Sequence, residues 1–156
     1  RDGPLPETAL PMSSTGAIVR RGRVLLVDDD AMVRRTLESG MQRMGYEVFA
    51  TDSGVNALRL FEARPMDFDV VVTDQMMPGM AGTELGRRVG QLPAKVPLIL
   101  MTGYAAALNE PKVRAMGFMA MLMKPVTMEE LECALQEALS LPRPNPAGPS
   151  DGPAEQ

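Results

Sequence analysis

The sequence predicts an α/β domain in which a parallel sheet is covered on both faces by helices. Between residues 22 and 140, short apolar runs alternate five times with segments of helical period. The runs are continuously apolar, as strands buried on both faces require. They also stop on polar residues: acids at 28–30 and 74, a hydroxyl at 102 and a lysine at 124. In sheets of this kind ligands sit beyond the carboxyl ends of the strands, where the strand order reverses.

Each element has its own signal. "RVLLVD" (23–28) reads as a buried strand. "MVRRTLESGMQRM" (32–44) places Val33, Leu37, Met41 and Met44 on one helix face. "YEVFAT" (46–51) is strand-like, and Asp52 or Ser53 is suited to cap the next helix, which turns Ala57, Leu58 and Phe61 inward. "DVVVTD" (69–74) is a third strand, followed by a Pro/Gly turn and a helix near 82–92. "PLILMT" (97–102) is the fourth strand. The helix after it contains Pro111, which belongs in a first turn, so it should be short and start near Asn109 or Glu110. "MAMLM" (119–123) is the fifth strand. In "TMEELECALQEAL", Thr127 and Glu130 form an S/T-x-x-E capping box, and Leu131, Ala134, Leu135, Ala138 and Leu139 face inward.

Residues 1–21 and 141–156 are rich in Pro, Gly and Ser and read as a disordered linker and tail around a domain at 22–140. Arg20, Arg21 and Arg23 read as a solvated basic linker. The chain begins on arginine, which suggests a piece of something longer, and its first residues lack the apolar core of a signal peptide. No apolar run approaches the roughly 18 residues of a membrane span. Net charge is −4, so no basic face advertises nucleic acid. The single cysteine, Cys133, excludes an internal disulfide and fits a cytoplasmic setting. Histidine is absent, which excludes Ser-His-Asp and Cys-His catalysis and leaves carboxylates, hydroxyls, lysine and backbone groups.

Any one rim acid has an ordinary reading as a turn former or cap. Asp28, Asp29, Asp30, Asp74, Thr102 and Lys124 on one edge have a joint one. Crowded carboxylates stay ionised only around a cation. Hard oxygen donors suit Mg²⁺ completed by a phosphate ligand. A carboxylate is also a competent nucleophile toward phosphorus, and Asp74 is expected to stand at its strand end exposed to solvent.

"LLVDDD", "VVTDQMMPGMAG", "LILMTGY" and "LMKP", in that order, resemble the response-regulator receiver domain of two-component signalling. The resemblance implies a flavodoxin-like doubly wound sheet of order 2-1-3-4-5 with five helices. It implies Asp74 as phospho-acceptor and Mg²⁺ bound by Asp28, Asp29, Asp74 and the backbone carbonyl of Met76. Thr102 becomes the switch hydroxyl, Lys124 the phosphate-contacting lysine, and the bond before Pro125 is cis. Asp30 is left as a helix cap. The donor is then a histidine kinase or histidine phosphotransfer domain. Such a receiver, a monomer or weak dimer, catalyses its own phosphorylation and dephosphorylation. The parent would be a hybrid sensor kinase with this receiver on its cytoplasmic side, a stand-alone receiver, or a truncated regulator.

Two departures stand out. Met121 occupies the place where the family usually carries a switching aromatic, and Pro111 interrupts the fourth helix. Met101, Met116, Met119, Met121, Met123 and Met128 are expected to cluster toward that output face, read first as pliable core filler and second as a repackable surface for a partner. The loop "GYAAAL" after Thr102 is expected to be loose and to close over the phosphoryl group. Two other readings stay open: a haloacid-dehalogenase-like phosphatase using Asp28 of "VDDD", and a docking module that is not phosphorylated.

Overall fold

A computed structural model describes residues 21–103 and 108–141. The linker and tail readings for 1–20 and 142–156, and residues 104–107 of the loop, lie outside the described residues. Five strands, β1 (Gly22–Val27), β2 (Tyr46–Thr51), β3 (Val70–Asp74), β4 (Leu98–Thr102) and β5 (Ala120–Met123), alternate with five helices. These are α1 (Ala31–Arg43), α2 (Gly54–Ala63), α3 (Gly82–Gly90), α4 (Glu110–Ala115) and α5 (Met128–Ser140). All strands pair in parallel in the order β2-β1-β3-β4-β5, the doubly wound order expected.

Strand alternation divides the core into two. Val24, Leu26, Val70, Val72, Ile99 and Met101 face α1 and α5, where Leu37, Met41, Leu131 and Leu135 meet them. Leu25, Val27, Val71, Leu98 and Leu100 face the other way, onto Phe61 of α2, Leu85 and Val89 of α3 and Val113 of α4. Each such side chain contributes about 1.5–3 kcal/mol on burial, so both faces must be covered before the sheet is stable.

The helix starts follow the sequence. Asp30 caps α1 by accepting the N–H groups of Met32 and Val33, and Ser53, not Asp52, caps α2. Asn109 caps α4 and accepts from Lys112, with Pro111 in the first turn. The Thr127–Glu130 capping box is present.

Two expectations need correction. The methionines do not share a face. Met101 is buried with α1 and α5, Met119 and Met128 pack against the same cluster, Met121 joins the other, and Met116 and Met123 are exposed. Within β5 (Ala120–Met123) Met121 faces the α2–α4 side, whereas Met119 precedes the strand, where its alternation does not apply, and Met128 lies on α5. Arg21 is not a free linker residue either. Its guanidinium lies 5.0 Å from the Tyr46 ring centroid and 3.0 Å from Glu132, and its N–H bonds Gly45. Arg23 lies within β1 and pairs with Glu47.

Candidate functional site

The order of the sheet determines where the site lies. β1 stands between β2 and β3, so chain direction across the sheet reverses at the β1/β3 boundary, and a crevice opens past their carboxyl ends. Val27 pairs with Thr73, so one residue further on Asp28 comes level with Asp74. Asp74 in turn pairs with Met101, one residue before Thr102. Thr102 pairs with Met123, one residue before Lys124, and the Lys124 N–H donates to the Thr102 carbonyl at 2.9 Å. Four residues far apart in sequence are therefore brought together by register alone.

Side chains complete the arrangement. The Lys124 ammonium lies 3.0 Å from Asp28 Oδ2 and 3.2 Å from Asp74 Oδ1. The other Asp28 oxygen accepts the Asp30 N–H at 2.9 Å. Carboxylate oxygens of Asp28, Asp29 and Asp74 lie within 4.8 Å of one another, with Asp29 exposed and the other two buried. Asp30 is outside this group, and its Oδ1 is committed to capping α1. The Lys124–Pro125 bond is cis. Thr102 is buried at the end of β4, and Met121 is half-buried on β5.

Asp74 is only 5% exposed, not the solvent-facing acid expected. Lys124 reaches over its carboxylate, and α3 begins hard against its backbone. A Cβ on Gly82 would collide with the Asp74 carbonyl oxygen, so only glycine allows that approach. Burial first, and then repulsion from Asp28, raises the Asp74 pKa above the ordinary value of 3.8; Lys124 offsets part of this. Burial works to lower the Lys124 pKa, yet its hydrogen bond to Asp28 and attraction to both carboxylates outweigh that and raise it.

The donor set fits a hard divalent cation. Three carboxylates converge, two are buried, and Lys124 alone does not relieve the repulsion that Asp74 experiences. Asp28, Asp29 and Asp74 are the residues that would hold it.

Sequence reasoning did not single out Gln75 or Arg34. Arg34 donates to the Asp28 carbonyl at 2.7 Å. Gln75 bonds the first turn of α3, whose own N-cap position is an alanine. That alanine was the available signal: a helix start without a capping side chain borrows one from elsewhere.

Residues 24–136 match the family model described as the response regulator receiver domain. The chain is 32% identical over 117 residues to the response regulator receiver protein CpdR of Brucella abortus, covering 75% of this chain and 96% of CpdR. It is 34% identical over 120 residues to the regulatory protein AtoC of Escherichia coli, covering 76% of this chain but only 25% of AtoC. Among solved structures, a response regulator receiver domain protein of Clostridium thermocellum aligns with a TM-score of 0.70 at 26% identity, over 76% of this chain and 94% of that one.

Proposed function

The chain belongs to the response regulator receiver domain family of two-component signalling, and from that premise we propose that Asp74 is the residue that accepts the phosphoryl group. The observation that carries this reading is the Lys124 bridge, which holds a buried carboxylate at the switch point of the sheet beside a second acid. In the transfer, an Asp74 carboxylate oxygen forms a bond to phosphorus as the P–N bond of a phosphohistidine breaks. The electron pair of that bond stays on the departing imidazole. The chain has no histidine, so the imidazole belongs to a donor outside it, a histidine kinase or histidine phosphotransfer domain. Lys124 and the Thr102 hydroxyl hold the phosphoryl oxygens.

Asp28, Asp29, Asp74 and the Met76 carbonyl would hold Mg²⁺, which when bound neutralises charge on the transferring group. The reaction belongs on the cytoplasmic side, where an exposed free thiol such as Cys133 persists. No helix among the described residues is long and apolar enough to cross a membrane. Thr102 and Met121 relay the modification: the hydroxyl is drawn toward the phosphoryl group, and the flexible Met121 side chain repacks behind it.

Mg²⁺-dependent labelling with acetyl phosphate, located by peptide mass spectrometry, tests the assignment. Label on Asp74 is expected; label on Asp28 would restore the phosphatase reading, and no label would leave a docking module. Metal titration provides an independent check. Asp29→Asn should weaken Mg²⁺ binding by about tenfold or more, because it removes a ligand, whereas Asp30→Asn preserves a helix cap and should leave affinity nearly unchanged. Equal losses would mean that the acidic pair has been misassigned.

A further inference from the structure

The residue after Asp74 has all of its polar groups engaged, and every bond ties the β3–α3 loop down. The Gln75 N–H donates to the Met101 carbonyl at 2.9 Å, and the Gln75 carbonyl accepts the Gly82 N–H at 3.0 Å. In its side chain, Oε1 accepts the Thr83 N–H at 2.8 Å and Nε2 donates to Thr83 Oγ1 at 3.2 Å. Gly82 and Thr83 are the first two residues of α3, whose N–H groups have no partner within the helix. Ala81, at the N-cap, has no side-chain oxygen to offer them. Gln75 thus supplies from one side of the loop what a capping serine or aspartate would supply from the other. The loop between, residues 76–81, is closed on itself by a single residue.

We infer that Gln75 is a positioning residue of the phospho-acceptor site, whose clasp on the first turn of α3 fixes the loop backbone at residue 76 beside the Asp74 carboxylate. This rests on the reading of Asp28, Asp29, Asp74 and the Met76 carbonyl as the metal-binding set. Two features make it more than helix capping. The clasp starts on the residue bonded directly to Asp74, so loss of the side-chain bonds leaves the Gln75 carbonyl as that residue's one remaining tie to the first turn of α3. The Met76 side chain is 67% exposed and buries little of itself, so its backbone position depends chiefly on its neighbours. Met77 and Met80 are buried and hold the middle and far parts of the loop, which leaves the near end to Gln75.

A ligand-orienting partner of this kind typically changes metal affinity by 10–100-fold when removed. Gln75→Leu retains the bulk and removes the carboxamide. It should weaken Mg²⁺ binding, measured by calorimetry, by about tenfold, and lower the melting temperature because Thr83 loses its cap. Adding Ala81→Ser to that variant supplies a conventional N-cap oxygen to α3. The melting temperature should then recover while Mg²⁺ affinity stays low. If Gln75→Leu changes affinity by less than about twofold, or if Ala81→Ser restores affinity along with stability, Gln75 is only a helix cap and the inference fails. Asp29→Asn, measured in parallel, separates the two levels. Unchanged affinity there overturns the metal-site reading and this inference with it; weakened affinity there with none in Gln75→Leu overturns this inference alone.

Discussion

Asp74→Asn should reduce labelling by acetyl phosphate to background and, at the same time, make the protein more stable. The first effect follows from chemistry: a carboxamide has no anionic oxygen to attack phosphorus. The second follows from the pKa. Asp74 is raised above 3.8 by burial and by Asp28, so the folded state binds its proton more tightly than the unfolded chain does. Between 3.8 and that raised value, the unfolded state holds fewer protons than the folded one, and stability falls as pH rises. Above the raised value the penalty is fully present, and neutral pH carries it unless a cation intervenes. Asparagine removes the charge while retaining the shape. The lost attraction to Lys124 subtracts from the gain. A net stabilisation, read as a raised melting temperature, is expected in metal-free buffer. It should shrink as Mg²⁺ is added, since the cation binds the unsubstituted folded protein and stabilises it by mass action. A variant that loses labelling and also loses stability would mean that Asp74 is a structural acid and that its neighbours do not repel it.

What was legible in the sequence shares one property: it depends on near neighbours along the chain. Apolar runs gave the five strands to within a residue or two, because burial on both faces demands continuous apolar sequence. Caps at Asp30, Asn109 and Thr127 were legible because a cap acts on N–H groups two or three residues away. The rim itself was legible because every strand of a parallel sheet ends on the same side. What escaped depends on residues distant in sequence. The burial of Asp74 is produced by Lys124 reaching back from β5 and by α3 lying against it at Gly82. Arg21 is held by Glu132, 111 residues away. The division of the methionines depends on which element each belongs to and which core cluster that element covers, which a cluster in sequence conceals. Gln75 lies between these cases. It caps a helix starting seven residues later, too far for a conventional N-cap, and the sequence marks the need for it only through the alanine at the N-cap position.

Lys124→Met is expected to destabilise the fold more than any other single change at the rim, by about 3 kcal/mol in metal-free buffer at neutral pH. The ammonium sits between Asp28, which is 0% exposed, and Asp74, and is itself mostly covered. A surface ion pair of that length would be worth little, because water solvates both partners once they separate. Here the carboxylates cannot separate: one ends β3 and the other follows β1, and the sheet holds them level. Methionine fills the space of the lysine stem and brings no countercharge, so the two buried acids confront each other with no cation between them. Three dependences identify this cause and distinguish it from simple packing loss. The deficit should diminish as pH falls toward the ordinary aspartate range, since protonating Asp74 removes the repulsion. Mg²⁺ should restore part of the stability, acting as the missing cation. In an Asp74→Asn background the same substitution should be less costly, with a coupling of about 1–2 kcal/mol, because only one buried acid is then left without a partner. In the unsubstituted protein, Lys124 has a pKa above its ordinary 10.5, so the stability it contributes is complete below 10.5 and is lost as pH rises through the raised value. Urea unfolding of the four proteins of this cycle, with and without Mg²⁺, measures every quantity. A loss below about 0.5 kcal/mol, or one indifferent to pH, metal and Asp74, would place the bridge among ordinary surface ion pairs.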